Sequence, residues 1–219
     1  MPKIEAFIFD LDGVITDTAE YHYLAWKQLA DEEGLPFSRE DNEQLRGVSR
    51  RESLTRLLKG HPISEDTAQE YMVRKNDYYK AYLGNITPTE ALPNVPAFLR
   101  AAKLSGIKLG IGSASKNAVD VLERLQLVSA FDAIGDGYSV VNPKPAPDLF
   151  VWVAGRLGVN PAHAVVFEDA EAGIDAALQG GFQTIGVGAE HNIKRAHLKA
   201  AKGLEELDVI GVLNHFKNA

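Results

Sequence analysis

The chain has 219 residues, a formal net charge of −7 and no cysteine. The absence of cysteine excludes disulfides, thiolate metal sites and a thiol nucleophile, and the acidic balance argues against general nucleic-acid binding, which requires a basic surface. No apolar stretch approaches the roughly 20 residues of a membrane span and the N-terminus lacks the form of a signal peptide, so we expect a cytoplasmic protein without membrane or nucleic-acid partners.

The first predicted element is a buried strand that ends in two aspartates. Residues 6–9 are all apolar, as in a strand covered on both faces of a sheet, and Asp10 follows directly. Asp12 stands two positions later, so its side chain can point the same way, and Gly13 lets the chain turn. A solvated turn or a helix cap would explain an isolated Asp-x-Asp. After an apolar strand we favour a nucleophile paired with a proton-transfer group.

Consecutive helical patterns follow this strand, with no strand between them. Asp17 and Glu20 form a pair that resembles a capping box for the first helix, and Gly34 ends that helix. The predicted helices cover 17–33, 38–45, 50–58 and 64–83.

From residue 88 onwards, helices and strands alternate. Alternation implies parallel strands, right-handed crossovers and a doubly wound sheet, which the first strand must join because alone it has no partner. We therefore predict an α/β fold: a Rossmann-like core of residues 1–15 and 89–219, with an inserted all-helical cap at 16–88. The helices are predicted at 93–104, 117–125, 147–157 and 172–178, and the strands at 108–112, 133–135, 164–167 and 183–187.

Polar side chains follow the predicted strands at the edge where such sheets bind ligands. Ser113 follows the second strand before a helix expected near Lys116, Lys144 follows the third, and Glu168 and Asp169 follow the fourth. Carboxylates gathered there would repel one another without a cation, and oxygen-only donors select a hard ion such as Mg²⁺. Alone, Ser113 would be a helix cap and Lys144 a surface residue. Together with the acidic residues, they provide the anion contacts of phosphoryl transfer.

These residues, in this order, resemble the motifs of the haloacid dehalogenase superfamily. The helical insert is similar to the small cap of that superfamily. The resemblance implies an enzyme that forms an aspartyl-phosphate on Asp10 and depends on Mg²⁺. The four motifs correspond to 9–14, Ser113, Lys144-Pro145 and Glu168-Asp169.

A narrower resemblance, to the β-phosphoglucomutase family, covers about residues 4–188 and includes the cap. It implies an isomerase of carbohydrate metabolism that interconverts β-glucose 1-phosphate and glucose 6-phosphate, with β-glucose 1,6-bisphosphate as intermediate and activator. The segments that carry it are 10–22, 25–26, 47–50, 74–77, 113–117 and 144–148.

The resemblance also implies a role for individual residues. Asp10 would be the nucleophile and Asp12 the general acid and base, with Ser113 and Lys144 holding the transferred phosphoryl group. Arg50 would bind the distal phosphate. The implied Mg²⁺ ligands are Asp10, the Asp12 carbonyl, Glu168 and Asp169. The implied substrate-binding residues are His22, Arg46, Gly47, Val48, Ser49, Arg50, Ser53, Lys75, Asn76, Ser113, Ala114, Ser115, Lys116, Asn117 and Lys144.

Three positions depart from the family pattern, and simpler explanations exist for two of the cap residues. Arg46 replaces the usual lysine, Gly112 the usual alanine and Pro143 the usual serine. Outside the resemblance, a single helical histidine such as His22 is usually structural, and a lysine such as Lys75 within a long helix is usually exposed.

Two other functions share part of the pattern. A sugar-phosphate phosphatase would use the same core motifs with water as the acceptor. A receiver-type phospho-accepting domain also combines an acidic cluster, a hydroxyl and a lysine, but it is shorter and has no helical insert. We expect a monomer that acts on small sugar phosphates.

Overall fold

The computed structural model describes residues 3–218, within which six parallel strands form one sheet. The order across the sheet is β3-β2-β1-β4-β5-β6, so β1 lies between the two halves. The predicted doubly wound parallel α/β fold is confirmed. The strands are β1 Ala6–Phe9, β2 Lys108–Gly112, β3 Ala133–Gly135, β4 Ala164–Glu168, β5 Gln183–Val187 and β6 Leu198–Ala200.

Helices cover both faces of the sheet. Helices α5, α6 and α9 pack on one face, and α7 and α8 pack on the other. Helices α1 to α4 lie between β1 and β2 in the chain. The helices are α1 Ala19–Glu32, α2 Arg39–Glu43, α3 Arg50–Leu58, α4 Glu65–Leu83, α5 Val95–Leu104, α6 Ala118–Arg124, α7 Asp148–Leu157, α8 Glu171–Gln179 and α9 Val209–Asn218. Among the helices of residues 3–218, none has both the length and the apolar character of a membrane span.

Alternating residues of β1 contribute to two hydrophobic cores. Phe7 and Phe9 pack with Phe167 on one face, where the ring centroids of Phe9 and Phe167 are 4.6 Å apart. Ile8 points to the opposite face and belongs to the core that contains Phe150. All residues of β1 are therefore buried, which explains why the strand is continuously apolar in the sequence.

Helices α1, α3 and α4 share a hydrophobic core of their own, in which Trp26 and Leu54 are buried. Two segments connect these helices to the sheet and lie side by side, since the amide of Leu92 donates to the carbonyl of Ile15 at 2.9 Å. A separate core supports an inserted cap. The exact limits given above, 16–88, stay a prediction.

The start of α1 differs from the expectation. The N-cap residue is Thr18, and the predicted capping box of Asp17 and Glu20 is wrong. The Oδ1 atom of Asp17 accepts a bond from the amide two residues later at 2.9 Å, and Glu20 forms an ion pair with Arg39 at 2.6 Å. The side chain of Thr18 makes no capping bond to the helix, and its hydroxyl donates to the carboxylate of Asp12.

Candidate active site

The chain makes a tight turn directly after β1. The amide of Asp10 donates to the carbonyl of Phe167 at 2.9 Å, so pairing with β4 continues to that residue. Gly13 has a φ of +79°, and a Cβ atom there would lie 2.2 Å from Oδ2 of Asp169. Glycine thus serves the backbone conformation and also leaves room for the carboxylate. The turn places Asp10 and Asp12 at the edge of the sheet, next to Asp169, which follows β4.

Carboxylates from β1 and from the end of β4 converge where the sheet divides into its two halves. Oxygens of Asp10, Glu168 and Asp169 all lie within 4.8 Å of one another. The Nζ atom of Lys144 donates to Oδ1 of Asp10 and to Oε2 of Glu168, both at 2.7 Å. The other oxygen of Glu168 accepts from the amides of Asp169 at 3.2 Å and Ala170 at 3.1 Å. Lys144 is therefore a buried ion-pair partner of the nucleophile candidate, and the surface-lysine alternative is wrong.

Burial makes this cluster electrostatically costly. Burial, and after it the charge of Asp10, raises the pKa of Asp12 to about 6. Burial raises the pKa of Glu168 to about 7, although Lys144 opposes that shift. Burial and then the charges of Glu168 and Asp10 raise the pKa of Asp169 well above its ordinary value. Burial would lower the pKa of Lys144, but the carboxylates of Asp10 and Glu168 outweigh it and the pKa is raised.

The donor set fits Mg²⁺. The carboxylates of Asp10 and Glu168 share the ammonium group of Lys144, and Asp169 lies 3.3 Å from the guanidinium of Arg46. Three clustered carboxylates therefore have two cationic partners, and an additional cation would relieve their remaining repulsion. The donors are all oxygens, which favours a hard ion over zinc or copper. Both oxygens of Glu168 already accept hydrogen bonds. Metal binding by Glu168 would require one of these bonds to be shared.

The carboxylate of Asp12 contacts Thr18, and Thr18 in turn contacts Tyr79; the sequence revealed neither residue as functional. The Oδ1 atom of Asp12 accepts a bond from the hydroxyl of Thr18, and the Oγ1 atom of Thr18 lies 3.0 Å from the hydroxyl of Tyr79. Thr18 stands where helix caps usually stand. Tyr79 looks like an ordinary core position of α4. No local signal separates either from a structural residue.

A histidine and a lysine meet on the cap side of the site. Nδ1 of His22 and Nζ of Lys75 are 2.7 Å apart, and Nζ also lies 5.0 Å from the ring centroid of Trp26. Burial, and then the charge of Lys75, lowers the pKa of His22 well below its ordinary value. Burial, and then the charge of Arg50, does the same to the pKa of Lys75. Lys75 is 3% exposed, so it is not a surface lysine.

The side-chain amide of Asn76 links Arg50 to the core. Its Nη2 atom donates to Oδ1 of Asn76 at 2.8 Å, and the same oxygen accepts from Nδ2 of Asn117 at 2.9 Å. Asn76 lies on α4 and Asn117 precedes α6, so this contact joins the cap to the core. The neighbouring Arg51 instead forms an exposed ion pair with Glu65 at 2.6 Å. Of these two arginines, Arg50 is therefore the candidate for anion binding.

The segment between α2 and α3 lies close to the core. Nη1 of Arg46 is 3.3 Å from Oδ2 of Asp169, and Nε of Arg46 is 2.9 Å from Oε2 of Glu43. The planar guanidinium contacts both carboxylates, a geometry that the ammonium of the lysine usual in the family does not match. Gly47 has a φ of +70°, and a Cβ there would lie 2.8 Å from Cβ of Ala170. The cap is thus packed against the edge of the sheet.

The anion site expected at a helix start near Lys116 is a loop instead. Helix α6 begins at Ala118, so Ser113 does not cap it. The Oγ atom of Ser113 accepts from the amide of Ser115 at 3.1 Å, and Oγ of Ser115 accepts from the amide of Asn117 at 3.2 Å. The hydroxyls fold back on the backbone and keep the loop compact at the end of β2.

A cavity between the cap and the sheet edge brings most of the predicted site residues together. Lys144 and Glu168 are buried and outside its lining. Ser49 is also outside it and caps α3 by accepting from the amide of Glu52 at 3.2 Å. Asn76 contacts Arg50 from outside the lining. The predicted residues that line the cavity are Asp10, Asp12, His22, Arg46, Gly47, Val48, Arg50, Ser53, Lys75, Ser113, Ala114, Ser115, Lys116, Asn117 and Asp169. Their roles in binding stay predictions.

Gly112, at the end of β2, leaves space for an aromatic ring close to Lys144. A Cβ on Gly112 would lie 2.7 Å from a ring carbon of Phe150. The centroid of the same ring is 4.6 Å from Nζ of Lys144. Glycine at this position therefore permits the packing of an aromatic face against the buried ammonium, where the family resemblance would place alanine.

We expect Gly112→Ala to lower the free energy of unfolding by about 1–3 kcal/mol, because the added methyl group overpacks the contact with Phe150. Urea denaturation measures the change. The double variant Gly112→Ala with Phe150→Leu should regain part of the loss. An unchanged single variant, or a double variant that loses the sum of the two single effects, would contradict this explanation.

Comparisons with known proteins agree with this geometry. A family model for haloacid dehalogenase-like hydrolases matches residues 4–181. The chain is 45% identical over 189 residues to a β-phosphoglucomutase of Bacillus subtilis, covering 84% of each chain. It is 32% identical over 192 residues to a phosphorylated carbohydrates phosphatase of Thermotoga maritima, covering 87% of each. A crystal structure of β-phosphoglucomutase from Clostridium difficile superimposes with a TM-score of 0.94 at 41% identity, covering 98% of both chains.

Proposed function

This chain belongs to the haloacid dehalogenase-like hydrolase family, and from that premise we propose that it is a β-phosphoglucomutase. It interconverts β-glucose 1-phosphate and glucose 6-phosphate through an aspartyl-phosphate on Asp10 and β-glucose 1,6-bisphosphate. The observation that carries this proposal is a single cavity whose two walls differ in charge. The core wall contributes Asp10, Asp12 and Asp169, and the cap wall contributes Arg50 and Lys75.

The core wall performs the transfer. A carboxylate oxygen of Asp10 attacks the phosphorus of the bisphosphate, and the bond from phosphorus to the sugar oxygen breaks. Asp12 donates a proton to that sugar oxygen as it leaves. In the second half of the cycle Asp12 takes the proton of the attacking sugar hydroxyl, and the phosphoryl group passes from Asp10 to that oxygen. A pKa of about 6 for Asp12 suits a group that gives up and takes a proton near neutral pH.

Several residues of the core hold the phosphoryl group. Lys144 keeps Asp10 in place through its 2.7 Å contact, so its positive charge lies next to the carboxylate that would carry the phosphoryl group. The oxygen of Ser113 accepts from a backbone amide, and this bond does not use the hydroxyl hydrogen. Ser113 can therefore donate that hydrogen to one of the phosphoryl oxygens. Asp10, Asp169, the Asp12 carbonyl and Glu168 would hold Mg²⁺, which when bound neutralises the charge that develops on the phosphoryl oxygens.

The cap wall binds the other end of the substrate. A bisphosphate carries a second phosphate, which needs a cation at a distance from Asp10. Arg50 lies in the cavity lining and is oriented by Asn76 at 2.8 Å. The paired His22 and Lys75 supply N–H groups that can contact sugar hydroxyls. A phosphatase that transfers to water has no need of a distal phosphate site, so this wall favours the mutase.

The proposal is tested by a coupled assay. With β-glucose 1-phosphate, Mg²⁺ and a trace of the bisphosphate, we expect glucose 6-phosphate, detected by glucose 6-phosphate dehydrogenase. Excess chelator should reduce turnover by at least about 10³-fold, since uncompensated carboxylates would then face the phosphoryl group. Full turnover in chelator would contradict the metal site.

The alternative function is that of a sugar-phosphate phosphatase, favoured by the similarity to the phosphatase of Thermotoga maritima. It shares the nucleophile and differs only in its acceptor, which is water. Release of inorganic phosphate in proportion to consumed substrate, without glucose 6-phosphate, would assign the chain to that function.

A further inference from the structure

A buried chain of hydrogen bonds runs from helix α4 to the carboxylate of Asp12. Its members are Tyr79, Thr18 and Asp12, and the hydroxyls of Tyr79 and Thr18 are 3.0 Å apart. Both residues are 0% exposed, so water cannot replace either contact. Tyr79 and Thr18 are 61 positions apart in the sequence and meet because α1 and α4 pack together.

The direction of this chain follows from the number of hydrogens. Thr18 has a single hydroxyl hydrogen, which it donates to Oδ1 of Asp12. Its oxygen must then accept the hydrogen of Tyr79. Burial raises the pKa of Tyr79 well above its ordinary value, so the phenol keeps that hydrogen. Without the Tyr79 hydroxyl, the buried oxygen of Thr18 would lose its donor and the Thr18 hydroxyl would lose its fixed orientation.

The ring of the same tyrosine supports the sugar-facing side of the cavity. The ring centroids of Tyr79 and His22 are 4.1 Å apart with an interplanar angle of 25°. Nζ of Lys75 lies 4.8 Å from the centroid of the Tyr79 ring. The ring of Tyr79 thus contacts the pair that faces the sugar, and its hydroxyl contacts Thr18, which in turn contacts the group that moves the proton.

We infer that Tyr79 is a positioning residue for proton transfer: its hydroxyl orients Thr18, and Thr18 orients Asp12 toward the sugar oxygen. This inference rests on the proposed function, in which Asp12 protonates that oxygen. It differs from a packing role in a way that can be measured. A packing role would affect every reaction of Asp10, whereas a positioning role affects only reactions whose leaving group needs a proton.

Two phosphoryl donors separate these roles. Acetate leaves acetyl phosphate without protonation, whereas the sugar oxygen of β-glucose 1,6-bisphosphate needs a proton in the transition state. For Tyr79→Phe we expect phosphoenzyme formation from the bisphosphate to slow about ten-fold, because a misplaced catalytic group costs rate even when it is present. The rate from acetyl phosphate should stay within two-fold of that of the unmodified protein (about the scatter of such rates). Rapid quench followed by mass spectrometry measures both rates.

A double-mutant cycle tests whether the effect passes through Thr18. Thr18→Val keeps the shape of the side chain and removes the hydroxyl. If Tyr79 acts through Thr18, Tyr79→Phe should cause no further loss of rate with the bisphosphate in a Thr18→Val background. Tyr82→Phe, on the same helix and stacked on Tyr21 at 6.3 Å, is the matched control and should leave both rates unchanged.

Three results would overturn the inference: equal losses with both donors, no loss with either donor, or additive losses in the double variant. Thermal unfolding of each variant shows whether a loss of rate comes from misfolding. If Tyr79→Phe is misfolded, the comparison of the bisphosphate with acetyl phosphate is made on the Thr18→Val protein instead. Failure of the proposed function looks different, because the unmodified protein would then form no glucose 6-phosphate at all.

Discussion

Replacing the nucleophile, Asp10→Asn, will abolish phosphoenzyme formation and reduce mutase turnover by at least about 10⁴-fold. Asparagine keeps an oxygen that can accept from Nζ of Lys144, where the carboxylate now accepts at 2.7 Å, so the fold should survive. It cannot attack phosphorus as a carboxylate does. Intact mass spectrometry after incubation with acetyl phosphate should show one added phosphoryl group on the unmodified protein and none on the variant.

A matched control separates the loss of the nucleophile from the loss of a negative charge nearby. Asp17→Asn changes an exposed aspartate between β1 and α1. Asparagine preserves an oxygen for the hydrogen bond that Asp17 now accepts from the amide of Ala19 at 2.9 Å. This variant should still be phosphorylated and should turn over at nearly the original rate. If Asp10→Asn still gained a phosphoryl group, another residue would be the nucleophile, and the assignment of Asp10 would be wrong.

The sequence predicted strands β1, β2 and β5 well because their buried positions are almost entirely apolar. In these strands every buried position carries an apolar residue, glycine or threonine, since helices cover both faces of the sheet. The edge strand β6 was not predicted. It has three residues with exposed Lys199 in the middle, and it exists because β5 offers a free edge, not because of its own pattern.

Helix α9 was also missed, although a signal for it was present. Val209, Val212 and Phe216 are buried and lie three and four positions apart, which is the spacing of one helical face. The residues between them are mostly exposed. This spacing predicts a helix at the end of the core, within residues 89–219.

The chemistry of the core wall could be predicted because topology dictates it. Parallel strands end at one edge, so Asp10, Ser113 and Glu168 had to lie close together once the strand order was known. The cap wall could not be predicted in this way. Whether Lys75 faces solvent or the cavity depends on how α4 packs against α1, and a helical pattern does not reveal which of its polar positions is buried. The family resemblance supplied that information, and residue spacing did not.

Thr18 and Tyr79 show a second limit. Their contact joins two helices that are distant in the sequence, and each residue has a common structural explanation when considered alone. The functional reason appears only when Asp12 is placed beside them. Polar residues buried between a cap and a core are therefore the group that sequence reasoning is least able to assign.

The general acid and base gives the second large effect. We expect Asp12→Asn to slow phosphoenzyme formation from β-glucose 1,6-bisphosphate by about 10²–10⁴-fold, which is the usual contribution of a positioned proton-transfer group. Phosphorylation by acetyl phosphate should be much less affected, because its leaving group needs no proton. Asparagine retains an oxygen that accepts from Thr18, so the chain from Tyr79 stays intact and the variant tests proton transfer alone.

The size of this loss sets an upper limit on the effect of the positioning residues. Tyr79→Phe acts only through Asp12, so it should cost less than Asp12→Asn with the bisphosphate and should cost nothing further in an Asp12→Asn background. If Asp12→Asn lowered the rates from both donors by the same factor, Asp12 would be needed for the attack of Asp10 on phosphorus and not for the proton of the sugar oxygen. The role of the whole hydrogen-bond chain would then change with it, because a chain that orients a proton donor has no effect on a leaving group that departs without one.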